Sequence, residues 1–152
     1  MNATTLATEA TLLRNPLAKP EHRWPAPDPS VWVFHRRMPA YRATTLYDCP
    51  ELARRYGVGR VLVKAETQRL GLPSFKILGA SWATYRALSD HLGFEPEPWA
   101  NINDLSRRIG YLRPFSLAAA TDGNHGRAVA FMARLLGFGC RIFVPAGTVP
   151  AR

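Results

Sequence analysis

Covalent chemistry in this chain points first to one lysine and one short loop that carries an acid, an amide and a histidine. Lys76 stands in Gly71-Leu72-Pro73-Ser74-Phe75-Lys76-Ile77-Leu78-Gly79-Ala80, behind a turn-forming Gly and Pro and at the mouth of a helical run. Phe75 and Ile77 flank it, which predicts a lysine set among apolar side chains. Lysines in such surroundings give up a proton more readily than solvated ones and become nucleophiles. An amine of that kind can condense with an aldehyde cofactor. The competing reading is a surface lysine whose stem covers apolar neighbours. The second stretch, Ser116-Leu117-Ala118-Ala119-Ala120-Thr121, reads as a buried strand, and it runs into Asp122-Gly123-Asn124-His125-Gly126-Arg127.

The elements that must hold these residues follow from spacing. Pro50, Glu51 and Gly57 mark the first turn, the positive end and the left-handed stop of a short helix. Arg60 to Glu66 reads as a strand, and Lys64 and Glu66 as an ion pair at its end. Behind Lys76, the residues Ile77, Ala80, Thr84, Leu88 and Leu92 keep a helical stripe. Asn103 to Gly110 is a further short helix with an Asn or Asp cap. Gly126 to Leu136, closed by Gly137, is apolar nearly all round, which implies burial on more than one face. Arg141 to Pro145 is the next strand, and Cys140 at its start reads as a small buried hydrophobe. The order β-α-(α)-β-α-β predicts an α/β fold with a parallel sheet and right-handed crossovers. Residues 1–40 contain Pro16, Pro20, Pro25, Pro27, Pro29 and Pro39 and predict an extended arm, with Val31 to His35 as an edge strand. Residues 41–152 make the α/β unit.

The two chemical stretches, in this order, resemble the fold-type II pyridoxal-phosphate enzymes, the tryptophan synthase β family. Gly71 to Ser81 is similar to that family's lysine segment and Thr121 to Gly126 to its Asn-containing loop. The likeness runs from about Thr44 to Ala146. The Asp-Gly-Asn-His-Gly run is most similar to the branch acting on 2,3-diaminopropionate. It implies the three-layer parallel sheet of the family, incomplete in this chain, with pyridoxal 5'-phosphate as cofactor. It further implies α,β-elimination of diaminopropionate to pyruvate and ammonia. Lys76 would hold the cofactor and act as general base, and Asn124 would donate to its phenolate oxygen, with Gly123 giving the loop backbone room. Asp122 would be a second base on the opposite face, serving the D-enantiomer. Gly123 and Gly126 also read as backbone permission for the loop's turn. The residue-level alternatives are an Asx turn or cap for Asn124 and an acidic helix cap for Asp122. A serine or threonine dehydratase and a non-catalytic fragment are the rival functions.

The expected strands and helices do not close a doubly wound domain. The family's Gly-rich phosphate loop has no counterpart here, so the expectation is the N-terminal part of a longer, cytoplasmic, homodimeric enzyme with a small amino-acid substrate. Composition agrees with a globular unit, at 47% hydrophobic and 20% charged. The formal charge of +9 raises nucleic-acid binding. The basic residues are dispersed as Arg36-Arg37, Arg54-Arg55 and Arg107-Arg108, without a basic block interleaved with aromatics. Cys49 and Cys140 are far apart, and His22, His35 and His91 have no partners at ligand spacing, so no metal site is expected. No apolar run reaches the ~20 residues of a membrane helix.

Overall fold

A computed structural model describes residues 16–17, 19, 21, 23 and 25–148. The centre of the molecule is a parallel pair, β1 (Ser116–Ala120) and β2 (Gly139–Phe143), joined by helix αC (Asn124–Leu136). This is one strand-helix-strand crossover of the expected kind. Helix αC packs against both strands, against αA (Lys76–Leu92) and against αB (Ile102–Arg108). Its all-round apolar character is spent on those neighbours: Ala128, Met132, Ala133 and Leu136 are all but inaccessible. Gly137, at φ 70°, stops αC in the left-handed conformation, and Gly93, at φ 76°, stops αA. Asn101 caps αB, accepting from the Asn103 and Asp104 amides.

The strand expected over Arg60 to Glu66 is present but shorter, and it lies outside the parallel pair. Only Leu62–Lys64 is extended, and it pairs antiparallel with Leu46–Asp48 as a separate two-stranded ribbon. Between the two lies the short helix Pro50–Tyr56, stopped by Gly57 at φ 62°. The ion pair also differs. Lys64 donates to the Thr44 carbonyl, whereas Glu66 is bound by Arg69, through Nε at 2.6 Å, and by the Thr44 hydroxyl at 2.8 Å. Arg69 is buried, so its guanidinium takes the nearest carboxylate on the inner side of the ribbon.

Val31 to His35, expected as an edge strand, lies in a helix, Pro29–Arg36. Asp28 accepts from the Ser30 amide at 2.9 Å and Pro29 occupies the first turn, two local start signals that override β-branched content. The helix is held by tertiary contacts. Phe34 sits 5.3, 5.2 and 5.6 Å from the rings of Trp82, Tyr85 and Trp99. Buried His35 donates from Nε2 to the Leu78 carbonyl at 3.0 Å. Residues 1–15, and with them the start of the expected arm, lie outside the described residues, as do His22 and Trp24.

Cys140 is exposed, and β1 alternates between half-buried and exposed positions rather than being buried. The physical reason is sparse cover: among the helices of the described residues, αC is the one that packs closely against the pair. No helix among the described residues is long and apolar enough to cross a membrane.

Candidate active site

The carboxyl ends of parallel strands, where the chain turns into a helix, are where open α/β sheets bind ligands. Here that point is the β1–αC turn. Thr121 continues the ladder, its amide donating to the Phe143 carbonyl at 2.9 Å. Asp122 and Gly123 make the turn, and Asn124 is the first residue of αC. The start of αA reaches the same place because αA packs along αC. A type I′-like turn sets up that start: Leu70 and Gly71 have φ of 51° and 81°, with the Arg69 and Leu72 backbones bonded to each other across it. Ser74 Oγ then accepts from the Lys76 amide at 3.2 Å as the helix begins.

The result is a cleft of about 590 Å³ lined by Lys76 from αA and by Asp122, Gly123 and Asn124 from the β1–αC turn. All four residues picked out from sequence meet there. Thr121, His125 and Arg127 complete the lining. Arg127 escapes sequence reading, although its spacing of three from Asn124 on a helix places both on one face. His125, for which a structural role competed with a chemical one, stands on the wall of the cleft.

Lys76 differs from expectation in its surroundings. Ile77 is fully buried, but Lys76 and Phe75 are exposed, with Nζ 5.1 Å from the Phe75 ring centroid. The first residue of a helix that opens onto a cleft cannot be enclosed by its own helix. The cap position of αC is Gly123, which lies between the two candidates Asp122 and Asn124 and carries no side-chain cap hydrogen bond. Asp122 has an interaction of its own in the structure.

The two loop glycines act differently from each other, and neither has positive φ. A Cβ on Gly123 would meet nothing within 4 Å, so its backbone fronts open space in the cleft. A Cβ on Gly126 would lie 2.7 Å from Thr121 Cγ2 and 2.9 Å from Ile142 Cγ2. Gly126 is therefore a close-packing residue that seats αC on both strands, not a turn residue.

A helix-borne lysine sharing a cleft with a Gly-Asn turn at a strand end defines a class. The family model of pyridoxal-phosphate dependent enzymes matches residues 37–152, and the chain belongs to that family. Among its relatives is the diaminopropionate ammonia-lyase of Escherichia coli strain K12, 39% identical over 121 residues, covering 78% of this chain and 29% of the relative. That of Salmonella typhimurium strain LT2 is 34% identical over 122 residues, covering 78% and 30%. The fold is shared with the holo form of the Escherichia coli diaminopropionate ammonia lyase at TM-score 0.71 and 36% identity, over 80% of this chain and 30% of that one. The same enzyme in complex with D-serine superposes equally well, at TM-score 0.71. The chain thus spans less than a third of the length of the relatives it matches.

Proposed function

We propose that this chain forms the lysine-bearing wall of a diaminopropionate ammonia-lyase. The observation that carries the reading is the meeting of Lys76 with Asp122 and Asn124 on one cleft. The residues suit pyridoxal phosphate: an amine from αA, an amide and an acid from the β1–αC turn, and at Gly123 a backbone without a side chain in the way. The 590 Å³ cleft lies within the usual range for a small-ligand site.

When bound, the cofactor supplies an electron sink for negative charge at the substrate α-carbon. The protein's part is to hold and to move protons. Lys76 Nζ would hold the cofactor's aldehyde group, and as a free amine it would take the substrate α-proton as general base. The Asn124 side-chain amide would hold the cofactor by donating a hydrogen bond to its phenolate oxygen. Asp122 would supply a second base, a carboxylate, which suits the D-enantiomer. Loss of the α-proton and of the β-amino group as ammonia leaves an enamine, and its hydrolysis gives pyruvate and a second ammonia. We further infer a homodimeric, cytoplasmic whole protein, the dimer being supported by the exposed Trp32 and Val33 on the Pro29–Arg36 helix. Sedimentation velocity tests the dimer.

The test of the reaction is turnover of D- and L-2,3-diaminopropionate to pyruvate by the wild-type, Lys76→Ala and Asp122→Ala forms. Loss of both substrates in the first variant and of the D-form alone in the second is expected. Equal loss of the two enantiomers in Asp122→Ala would refute the second-base role.

A further inference from the structure

We propose that the groove between the Pro29–Arg36 helix and αA is filled by the chain's own residues Leu6 to Leu13, docked as an amphipathic helix, an inference independent of the reaction at Lys76. The groove holds about 430 Å³ and is lined by Val31 and Trp32 from one helix and by Leu78, Gly79 and Trp82 from the other. It lies open, and Trp32 is 56% exposed. A Cβ on Gly79 would meet nothing within 4 Å. Glycine inside a helix weakens it, and no packing among the described residues calls for this one. Its effect is to leave room for the close approach of another backbone.

The sequence of residues 1–15 has the chemistry to fill it. The prolines that keep the arm extended begin only at Pro16. Before them, Leu6, Ala10 and Leu13 stand at spacings of four and three, the anchor pattern of a helix that docks in an apolar groove. Thr4 and Thr5 suit the start of such a helix, and the Asn15-Pro16 pair suits its end. Leu6 to Leu13 would span about 10 Å, or two turns. Glu9 is the charged side chain of residues 1–13. Arg36 offers it a partner at the edge of the groove, where the guanidinium stands 4.5 Å from the centre of the Trp32 ring.

The path of the chain favours this occupant over a second copy. Pro27 and Asp28, which lead into the Pro29–Arg36 helix, are themselves part of the groove's lining. Residues 14–26 are therefore the whole tether between Leu13 and the groove. A flexible tether of that kind sets an effective concentration on the order of millimolar. A stable dimer, by contrast, buries about 800 Å² per partner, more than a groove one helical turn long provides. Val33 lines a different cavity, so the dimer inferred above does not need this groove.

The test is hydrogen exchange of the backbone amides from Thr8 to Leu13 in the full chain of 152 residues. In the unsubstituted chain these amides should exchange at least about tenfold more slowly than in a free peptide of residues 1–15, as in a docked helix. Gly79→Lys, which obstructs the groove, should return them to the free rate. Leu6→Asp, which leaves the body of the fold untouched, should do the same. Benzoylphenylalanine in place of Leu13 then locates the docked segment in a mixture of isotopically light and heavy chains. Ultraviolet cross-links should join that position to the Trp32 or Trp82 peptide of the same chain. Amides at the free rate in the unsubstituted chain, or protection that survives Gly79→Lys or Leu6→Asp, would overturn the proposal. Cross-links between light and heavy chains would also overturn it and give the groove to a second copy.

Discussion

Gly126 and Thr121 approach so closely that a methyl group on the glycine would sit 2.7 Å from the threonine Cγ2. This contact ties the first turn of αC to the end of β1, and the loop that carries Asp122 and Asn124 is strung between them. Thr121 and Ile142, the two residues in the way, are β-branched and have little rotamer freedom with which to yield. Gly126→Ala should therefore destabilise the chain by about 2 kcal/mol, as overpacking of a tight site does. Urea unfolding measures this, and a ΔΔG near zero would mean the helix can shift off the strands at no cost.

The pair formed by Arg69 and Glu66 supports the ribbon and the turn that leads to Lys76. Arg69→Met leaves the Glu66 carboxylate without its guanidinium in a largely enclosed position. A loss of about 3 kcal/mol is expected. The hydrogen bond from Arg69 holds the Glu66 carboxyl down at about 2, against its ordinary 4.5. The pair's contribution is thus complete above pH 4.5 and is lost as pH falls toward about 2. Comparing wild type with Arg69→Met by urea unfolding at pH 7 and pH 3 should show a smaller difference at the lower pH. An equal difference at both would show that the charge is not what matters.

His35 gives a second pH dependence, in a higher window. Burial between the Pro29–Arg36 helix and αA pushes its pKa below the ordinary 6.5. The unfolded chain then binds a proton at pH values where the folded one does not, so stability is complete above 6.5 and declines as pH falls below it. The slope can reach about 1.4 kcal/mol per pH unit. Denaturation midpoints from pH 7.5 to 5.5 should fall for wild type and stay nearly flat for His35→Gln. A parallel fall in both would remove His35 as the cause.

Much of this was legible in the sequence for local reasons. The stop at Gly137, the helical stripe behind Lys76 and the strand running into Asp122 depend on neighbours within a few residues. They also place the lysine and the loop on elements that meet. The parts that were not legible depend on distant partners. The Pro29–Arg36 helix starts on local signals at Asp28 and Pro29, but it is anchored where Phe34 finds Trp82, Tyr85 and Trp99, a contact no local pattern contains. Glu66 pairs with Arg69 rather than Lys64 because the turn at Leu70 and Gly71 folds the guanidinium back. The exposure of Lys76 and of Cys140 reflects how much of each surface is covered, which sequence spacing does not encode.

The role of Lys76 is tested most directly by reductive trapping. The sequence contains only three lysines, Lys19, Lys64 and Lys76, so the site of attachment can be read without ambiguity. Pyridoxal phosphate is added to the full chain, borohydride fixes any carbon–nitrogen double bond, and peptide mapping by mass spectrometry locates the label. Stoichiometric label on the Lys76 peptide, absent in Lys76→Ala, is the predicted result. Label on Lys19 or Lys64 in equal measure, or an unchanged yield in the variant, would contradict the assignment of Lys76 as the residue that holds the cofactor.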